Sequence, residues 1–555
     1  MSWAGSGSCF SDIQDFSSCH RSSIRVRARR SGETSMKLEE RSRARRWPRP
    51  PRWSWRLTHP DSRAYHRDRM VRPLQAVAAV SAEPPPLPAP AAAADARRAG
   101  LLVVIAAAGT GFWLLPLPIE PLAHKALAVG AFMILAWMTQ VLDHGIAGII
   151  GCFLFWMLGV ARFETAFSGF ADTSAWFLFG ALCFGMMAGQ SGLARRLAYL
   201  VMRGVGHSYA RLLLGLILSD FLLTAIVPSG IARVVIMAAV AMGLVDAFGV
   251  GPGSNIARGM FIILTYTATI FDKMLIAGAS SITARGAIER FGQVNVFWSQ
   301  WGLAYLPCDI LVMLVGWRLT LWMYPPEAAT LPGGADYLRR ELRNMGPWSA
   351  REMRAATLMG LAIGLWMTDF VHHIPAPMIG LGIGLLAIMP RIGVLDTDDV
   401  RRINYLPIFF VAAAVSLSNV LAQTRALDVL TTTLFEWLQP HISTSWGSTF
   451  VLYWAAFAYH IVIGNEIAML STSLPPLMNF ARQHGVDPLT LGMIWTFGAG
   501  AKIFMYESAV LVVGYSYGYF DTKDMLRVGA SLSLVACLIL MFLVPIYWPL
   551  IGIGR

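Results

Sequence analysis

A short polar break inside an apolar stretch places a cation beside free backbone. The stretch LLTAIVPSGIARVVIMAAV is interrupted by Pro228, Ser229 and Gly230, and Arg233 follows the break directly. A helix that restarts there directs free N–H groups and the positive end of its dipole toward the break, which favours an anion. Arg233 could then grip a carboxylate or sulfate bidentately, or it could instead extend to a nearby lipid–water interface.

A second polar break, in VIGNEIAMLSTSLPPL, carries Asn465 and Glu466. A carboxylate at such a position could bind a cation or exchange a proton. The alternative interpretation is that Glu466 pairs with a neighbouring helix or lies at the membrane surface. Both interpretations remain open on the sequence alone.

Further charges stand inside apolar segments, where they are costly and usually face the protein interior or one another. The adjacent Asp272 and Lys273 could offset each other locally. Lys502 and Glu507 could face one pathway only if their helix is broken between them. His460 is interpreted as a packed or interfacial side chain. Asp220 is the remaining charge of this group.

Composition identifies the class of protein. The chain has 555 residues, of which 55% are hydrophobic and 14% charged, whereas soluble domains carry about 25% charged residues. Its mean hydropathy is +0.53, and many windows of about 20 residues, the length that crosses a bilayer core, hold at most one charge. The sequence predicts an all-α polytopic membrane protein. It contains no catalytic motif of the hydrolase, metalloprotease or nucleotide-binding types, so we expect no enzyme.

The positive net charge belongs to the N-terminus. Residues 1–72 hold sixteen Arg and one Lys against seven acids, within a net charge of +12 for the chain. The basic composition is therefore no reason to expect a nucleic-acid partner. Residues 1–98, rich in Arg, Pro and Ala, could be a transit peptide, a disordered extension or translated upstream sequence with the start at Met70. The acids favour the last two interpretations.

The order of features suggests an internal repeat. A polar connector, residues 324–354, separates a membrane half at 99–323 from another at 355–555. Gly192 and Arg425 stand 233 residues apart in similar surroundings, and Ser229 and Asn465 stand 236 apart. Inverted repeats with discontinuous helices are typical of secondary transporters, in which paired interruptions mark the solute site.

Several separated segments resemble the divalent anion:sodium symporter family, which carries dicarboxylates, citrate or sulfate. SGFADTSAWFLFGALCFGMMAGQSGLARRLAYLVMRGVG resembles its first re-entrant hairpin, and VPSGIAR is similar to its first Ser-Asn-Thr signature. LRNMGPWSAREMRAA resembles the connector between its halves, and GYSYGYFDTKDMLRVGASLSL its C-terminal end. The resemblance implies two inverted repeats, re-entrant hairpins, about eleven spans, a homodimer and elevator-type movement of solute.

The chemistry of the signatures departs from the family pattern. The first signature reads Ser229-Gly230-Ile231 and the second Asn465-Glu466-Ile467, and the stretches that follow are altered to AGASSITARG and YESAVLVVG. Gly and Ile offer only backbone groups as ligands. The solute residues implied by the resemblance are Ser229, Gly230, Ile231, Arg233, Asn465, Glu466, Ile467, Ser280, Ser281 and Ser508, and those for a coupling ion are Glu466, Asn465 and Ser229.

The predicted function is cation-coupled secondary transport of a small divalent anion, in the cell inner or plasma membrane rather than in an organelle. No cofactor is expected, and Na⁺ is the candidate coupling ion. The alternatives are a proton-coupled or exchanging permease without sodium sites, with Glu466 as the proton carrier, and a non-transporting receptor on the same fold.

Overall fold

A computed structural model describes residues 92–227, 229–330, 334–442 and 445–554, with the side chains of 92–97 and 334–335 left out. Most of the predicted N-terminal tail, including Met70, lies outside these residues. The first described helix begins at Ala92, seven residues before the predicted start of the membrane region. The predicted break residue Pro228 also lies outside them.

The described residues are organised as α-helices. Those of eight or more residues are α1 (Ala92–Leu114), α2 (Pro121–Thr139), α3 (His144–Met157), α4 (Thr173–Ser191), α5 (Leu193–Val205), α6 (Tyr209–Thr224), α7 (Gly230–Phe248), α8 (Asn255–Ile270), α9 (Ala279–Gly292), α10 (Trp298–Met323), α11 (Gly334–Asn344), α12 (Ala350–Met367), α13 (Ala376–Ile388), α14 (Leu406–Gln423), α15 (Ala426–Phe435), α16 (Ser445–Ile463), α17 (Glu466–Gln483), α18 (Pro488–Ala499), α19 (Ala509–Ser516) and α20 (Thr522–Phe542). Short helical turns occupy Phe163–Ala166, Ser168–Ala171, Asp369–His372, Thr397–Arg401, Glu436–His441, Met505–Glu507, Leu543–Tyr547 and Trp548–Ile551.

Six of these helices are long and apolar enough to cross a membrane by length and composition, or seven if one bent pair counts as a span. They are α2, α7, α10, α14, α16 and Thr522–Ile551, and the bent pair is α4 with α5. The number falls below the predicted eleven because several apolar helices in the described residues are short or interrupted. The apolar helices α3 and α13 have only 14 and 13 residues.

Matched positions in the two halves interrupt helices in the same way. Gly192 (φ 83°) separates α4 from α5, which are bent by 69°, and Arg425 (φ 57°) separates α14 from α15. Both residues adopt the left-handed conformation that ends a helix. Both positions therefore interrupt helices with a left-handed residue, and the internal repeat stays a prediction.

Helices α9 and α19, which each follow an irregular segment, pack against a helix of the other half. Irregular segments separate α8 from α9 and α18 from α19. Helix α7 packs against both α8 and α19, whereas α17 packs against both α18 and α9. The helices that restart after the two polar breaks are therefore each flanked by one segment from either half.

A buried ion pair fixes the connector to helix α5. The Nε of Arg196 donates to Oε1 of Glu352 at 2.7 Å, and both side chains are almost fully buried. Glu352 also accepts from the N–H of Ser349 and completes the capping box that starts α12. Burial raises the pKa of Glu352, but the bonds from Arg196 and Ser349 outweigh it and hold that pKa below its usual value.

Candidate functional site

The first break is a capped helix start, as the sequence predicted. Ser229 is the N-cap of α7, and its hydroxyl accepts from the N–H of Ala232 at 3.3 Å. Gly230 is buried, and a Cβ at that position would lie 2.8 Å from Val510. Ile231 is 40% exposed. The break therefore brings the start of α7 against the start of α19, with one apolar side chain directed outward.

Arg233 is the most heavily bonded cation of the region. It is 1% exposed, and its Nε lies 3.2 Å from Oδ1 of Asp220. Its two terminal nitrogens donate to the carbonyls of Val227 and Ala268, at 3.2 and 2.6 Å. The contact with Asp220 is within ion-pair distance but is misaligned for a hydrogen bond. The interpretation of Arg233 as an interfacial side chain is wrong, because the guanidinium is buried and engaged by the chain itself.

Asp272 is a second carboxylate at the same guanidinium. Its Oδ1 lies 3.6 Å from Arg233, and a Cβ at Gly230 or at Gly278 would each lie 3.2 Å from that oxygen. The carboxylate thus sits at the first residue of α7 and beside the N-cap of α9, where a negative charge is favourable. The expected local pairing of Asp272 with Lys273 is wrong, because the irregular segment after α8 sends the two side chains to different partners.

The second break repeats the capping arrangement. Asn465 is the N-cap of α17, and its side-chain oxygen accepts from the N–H of Ala468 at 2.9 Å. Glu466 is 8% exposed, and its Oε2 accepts from Nζ of Lys502 at 2.6 Å. Ile467 is half-buried. Of the two interpretations of Glu466, pairing with a neighbouring segment is the one that the geometry shows.

The segment between α18 and α19 carries the remaining predicted charges. No continuous α-helix joins Lys502 to Glu507, because α18 ends at Ala499 and α19 starts at Ala509. This meets the condition under which the two side chains could face one pathway. Glu507 accepts from the N–H groups of Ile503 and Phe504 at 2.6 and 2.8 Å. Ser508 is the N-cap of α19 and accepts from the N–H of Val510. The side chains of Glu507 and Ser508 are therefore engaged mainly by nearby backbone N–H groups.

The serines after the first discontinuity lie in the first turn of α9. Ser281 is fully buried and donates to the carbonyl of Gly278 at 3.0 Å, and Ser280 is 6% exposed. His460, in the last turn of α16, is also fully buried, and neither ring nitrogen has a partner among the described residues. It lies within electrostatic range of Glu466 and Lys502.

Lys273 differs from the other two buried cations of the site. It is 3% exposed, its Nζ lies 4.6 Å from the ring centroid of Phe497, and it forms no ion pair within the described part of the chain. A Cβ at Gly500 would lie 2.2 Å from this Nζ, so glycine is required for the lysine to lie there. Lys273 also lies within electrostatic range of Glu466.

A small cavity joins Lys273 to Asp309, a residue that the sequence analysis did not select. The cavity measures about 20 Å³, enough for one water molecule, and Lys502 also lines it. Asp309 is fully buried on α10. Its signal was available, because it is the only charged residue between Trp298 and Trp317 of an otherwise apolar helix.

Comparison with known proteins establishes the family. The sequence model described as the sodium:sulfate symporter transmembrane region matches residues 96–553. The chain therefore belongs to this family, and the resemblance seen in the separated motifs is confirmed. Together with its apolar helices, this makes it a multi-pass membrane protein.

Several relatives share about a quarter of their residues with this chain. It is 25% identical to the chloroplastic dicarboxylate transporter 1 of Arabidopsis thaliana, over 94% of this chain and 99% of the relative. It is 24% identical to the citrate/succinate antiporter of Escherichia coli K12, over 69% and 80%. It is 23% identical to the putative malate transporter YflS of Bacillus subtilis 168, over 81% and 96%.

Proposed function

We propose that this protein is a secondary transporter of small di- or tricarboxylates such as succinate, malate or citrate. Family membership supports transport, and the names of the relatives favour dicarboxylates over sulfate. Two capped helix starts, at Gly230 and Glu466, direct positive dipole ends toward the interior. Such starts are suited to a carboxylate.

The single observation that carries the proposal is the unpaired state of Lys273. Arg233 already lies against two carboxylates and Lys502 against one, so neither can offer a net charge to a solute. Lys273 is the buried cation of this group that forms no direct ion pair within the described residues, so its ammonium can pair with a solute carboxylate. We therefore assign the charge that binds a solute carboxylate to Lys273, and a role in holding the first break together to Arg233.

The 20 Å³ cavity is too small for a dicarboxylate, so solute entry requires the site to open. Lys273 lies in the irregular segment 271–278 and Lys502 in the segment 500–508. We propose that these segments separate from each other when solute enters. We further propose that the protein has about eleven spans in two inverted repeats and that it forms a homodimer. One part of each protomer would carry the solute across the membrane in an elevator-type movement. The matched breaks at Gly192 and Arg425 support the repeats.

The ion pair at the second break bears on the coupling ion. In this chain the ammonium of Lys502 lies 2.6 Å from the carboxylate of Glu466, where a fixed positive charge satisfies the anion. We propose that this lysine takes the place of a mobile cation, so that transport does not require Na⁺. Transport would then be driven by exchange against a second solute or by coupling to protons.

The test is uptake of labelled succinate, citrate and sulfate into proteoliposomes, with sodium and proton gradients imposed separately and with counterflow against preloaded succinate. We expect succinate counterflow that is unchanged when Na⁺ is replaced by choline. Uptake that depends on a sodium gradient would contradict the assignment of Lys502. Binding of succinate without any movement would contradict transport and would favour a receptor.

A further inference from the structure

Asp309 is a buried carboxyl group for which the fold provides no direct partner. Its exposure is 0%, and both of its side-chain oxygens lack a hydrogen-bond partner among the described residues. An ionised carboxylate at membrane depth is unfavourable unless a counter-charge or a bound proton neutralises it. The chemistry of Asp309 therefore depends on what lies across the cavity that it faces.

Lys273 is the group across that cavity. Its ammonium and the Asp309 carboxyl line the same 20 Å³ space, but they form no direct ion pair. One water molecule fits between them and could bridge the two charges. With the site empty and Asp309 ionised, the two charges would cancel.

We propose that Asp309 is a proton-binding site that is linked to solute binding through Lys273, an inference that rests on the proposed transport of dicarboxylates. When a solute carboxylate pairs with Lys273, Asp309 loses its counter-charge and one of its oxygens binds a proton from water. When the solute leaves, the proton is released. Counted over Lys273, Asp309 and the one solute carboxylate that pairs with Lys273, the charge is zero in both states, and no bond within the solute changes.

Reciprocal linkage follows from this arrangement. If the solute increases the proton affinity of Asp309, then a proton on Asp309 increases the solute affinity of Lys273 by the same factor. Solute and proton would therefore bind together. Across the pH range in which the empty protein is deprotonated at Asp309, the dissociation constant for solute should rise about tenfold per pH unit.

Other ionisable groups surround this cavity. Tyr266 of α8, Tyr453 of α16 and Lys502 line it, Tyr305 and Cys308 lie beside Asp309 on α10, and Cys537 approaches from α20. Asp369, from the turn Asp369–His372, packs against the first residue of α10 and accepts from the N–H of Trp298.

Few of these groups titrate in the range of the measurement. Tyr and Lys side chains ordinarily keep one charge state between pH 6.5 and 7.5, and Cys is mostly neutral there. His460, near Lys502, is the group whose ordinary titration range overlaps that of the measurement.

The test is isothermal titration of the full-length protein with succinate, at pH 7 in two buffers that differ in protonation enthalpy, which counts the protons bound per succinate. We expect net proton uptake for the wild type and none for Asp309→Asn, which should still bind succinate because Lys273 is intact. The variant should also lose the weakening of succinate affinity that the wild type shows as the pH rises from 6.5 to 7.5. Asp398→Asn, the same change on an exposed residue, should behave as the wild type.

Two results would overturn the inference: succinate binding to the wild type without proton uptake, and uptake that persists in Asp309→Asn. In the second case, loss of the uptake in His460→Gln would assign the proton to His460. If Asp309→Asn does not fold, Asp309→Glu should keep the proton uptake and shift its pH dependence, and an unchanged profile would overturn the inference. A wild type that binds none of succinate, citrate and sulfate would instead contradict the proposed function.

Discussion

The two breaks share a backbone design but differ in how they balance charge. At each of them a polar side chain, Ser229 or Asn465, caps the restarting helix by accepting from the N–H group three residues later. At the first break one guanidinium serves two carboxylates, and at the second break one ammonium serves a single carboxylate.

The difference separates a structural role from a functional one. Arg233 also binds two main-chain carbonyls, so it ties together the ends of three segments. Within the described residues Lys502 has a single ion-pair partner, and it lines the same cavity as Lys273. We therefore expect changes at the first break to affect folding, and changes at the second to affect ion dependence.

The largest effect on stability is expected at Arg233. Arg233→Met leaves Asp220 and Asp272 buried without their cation, a change that typically costs about 3–5 kcal/mol. Thermal unfolding in detergent should show a large loss of stability or no folded protein. Arg401→Met, at an exposed i,i+3 pair, is the control and should change stability by less than about 0.5 kcal/mol. A stable Arg233→Met protein without solute binding would instead make Arg233 a solute ligand.

The next effect sharpens the contrast at the second break. Lys502→Met leaves Glu466 without its cation, so counterflow of succinate should fall in choline and recover partly when Na⁺ is added, because a mobile cation can neutralise the carboxylate. The wild type should show no difference between the two media. Lys502→Met combined with Glu466→Gln should lose the sodium response. A wild type stimulated by Na⁺ would show that the lysine does not replace the ion.

A smaller effect is expected at the connector. Glu352→Gln weakens the buried bonds from Arg196 and should cost about 2 kcal/mol of unfolding free energy. Because the pKa of Glu352 is lowered on folding, its ionisation stabilises the protein above its unfolded pKa, and this contribution is lost as the pH falls through the folded pKa. Thermal unfolding from pH 7 to pH 3.5 should therefore show a shallower decline in the variant. An equal decline would mean that this pair is not part of the acid sensitivity.

The smallest effects should be equal at the two breaks. Ser229→Ala and Asn465→Ala each remove one N-cap bond, worth about 1 kcal/mol. Their thermal unfolding should shift by similar amounts, and each alone should leave succinate counterflow measurable. A loss of transport in only one of the variants would show that this side chain contacts solute or ion directly.

The sequence predicted the backbone of the site better than its charges. Apolar runs broken by Ser229-Gly230 and by Asn465 indicate where helices restart, because capping is a local property. The partners of Arg233 and Lys273 depend on how separate segments pack, which adjacency in sequence does not reveal. Asp309 was recognisable as a lone charge in an apolar helix, but the cavity that it shares with Lys273 depends on how separate segments pack.

The assignment of Lys273 is tested by comparing Lys273→Met with the wild type in succinate counterflow and in succinate-dependent thermal stabilisation. We expect Lys273→Met to remain folded, to lose counterflow, and to bind succinate about 100-fold more weakly, because a charged hydrogen-bond partner is removed. Counterflow and stabilisation equal to those of the wild type would contradict the assignment of Lys273 as the charge that binds the solute.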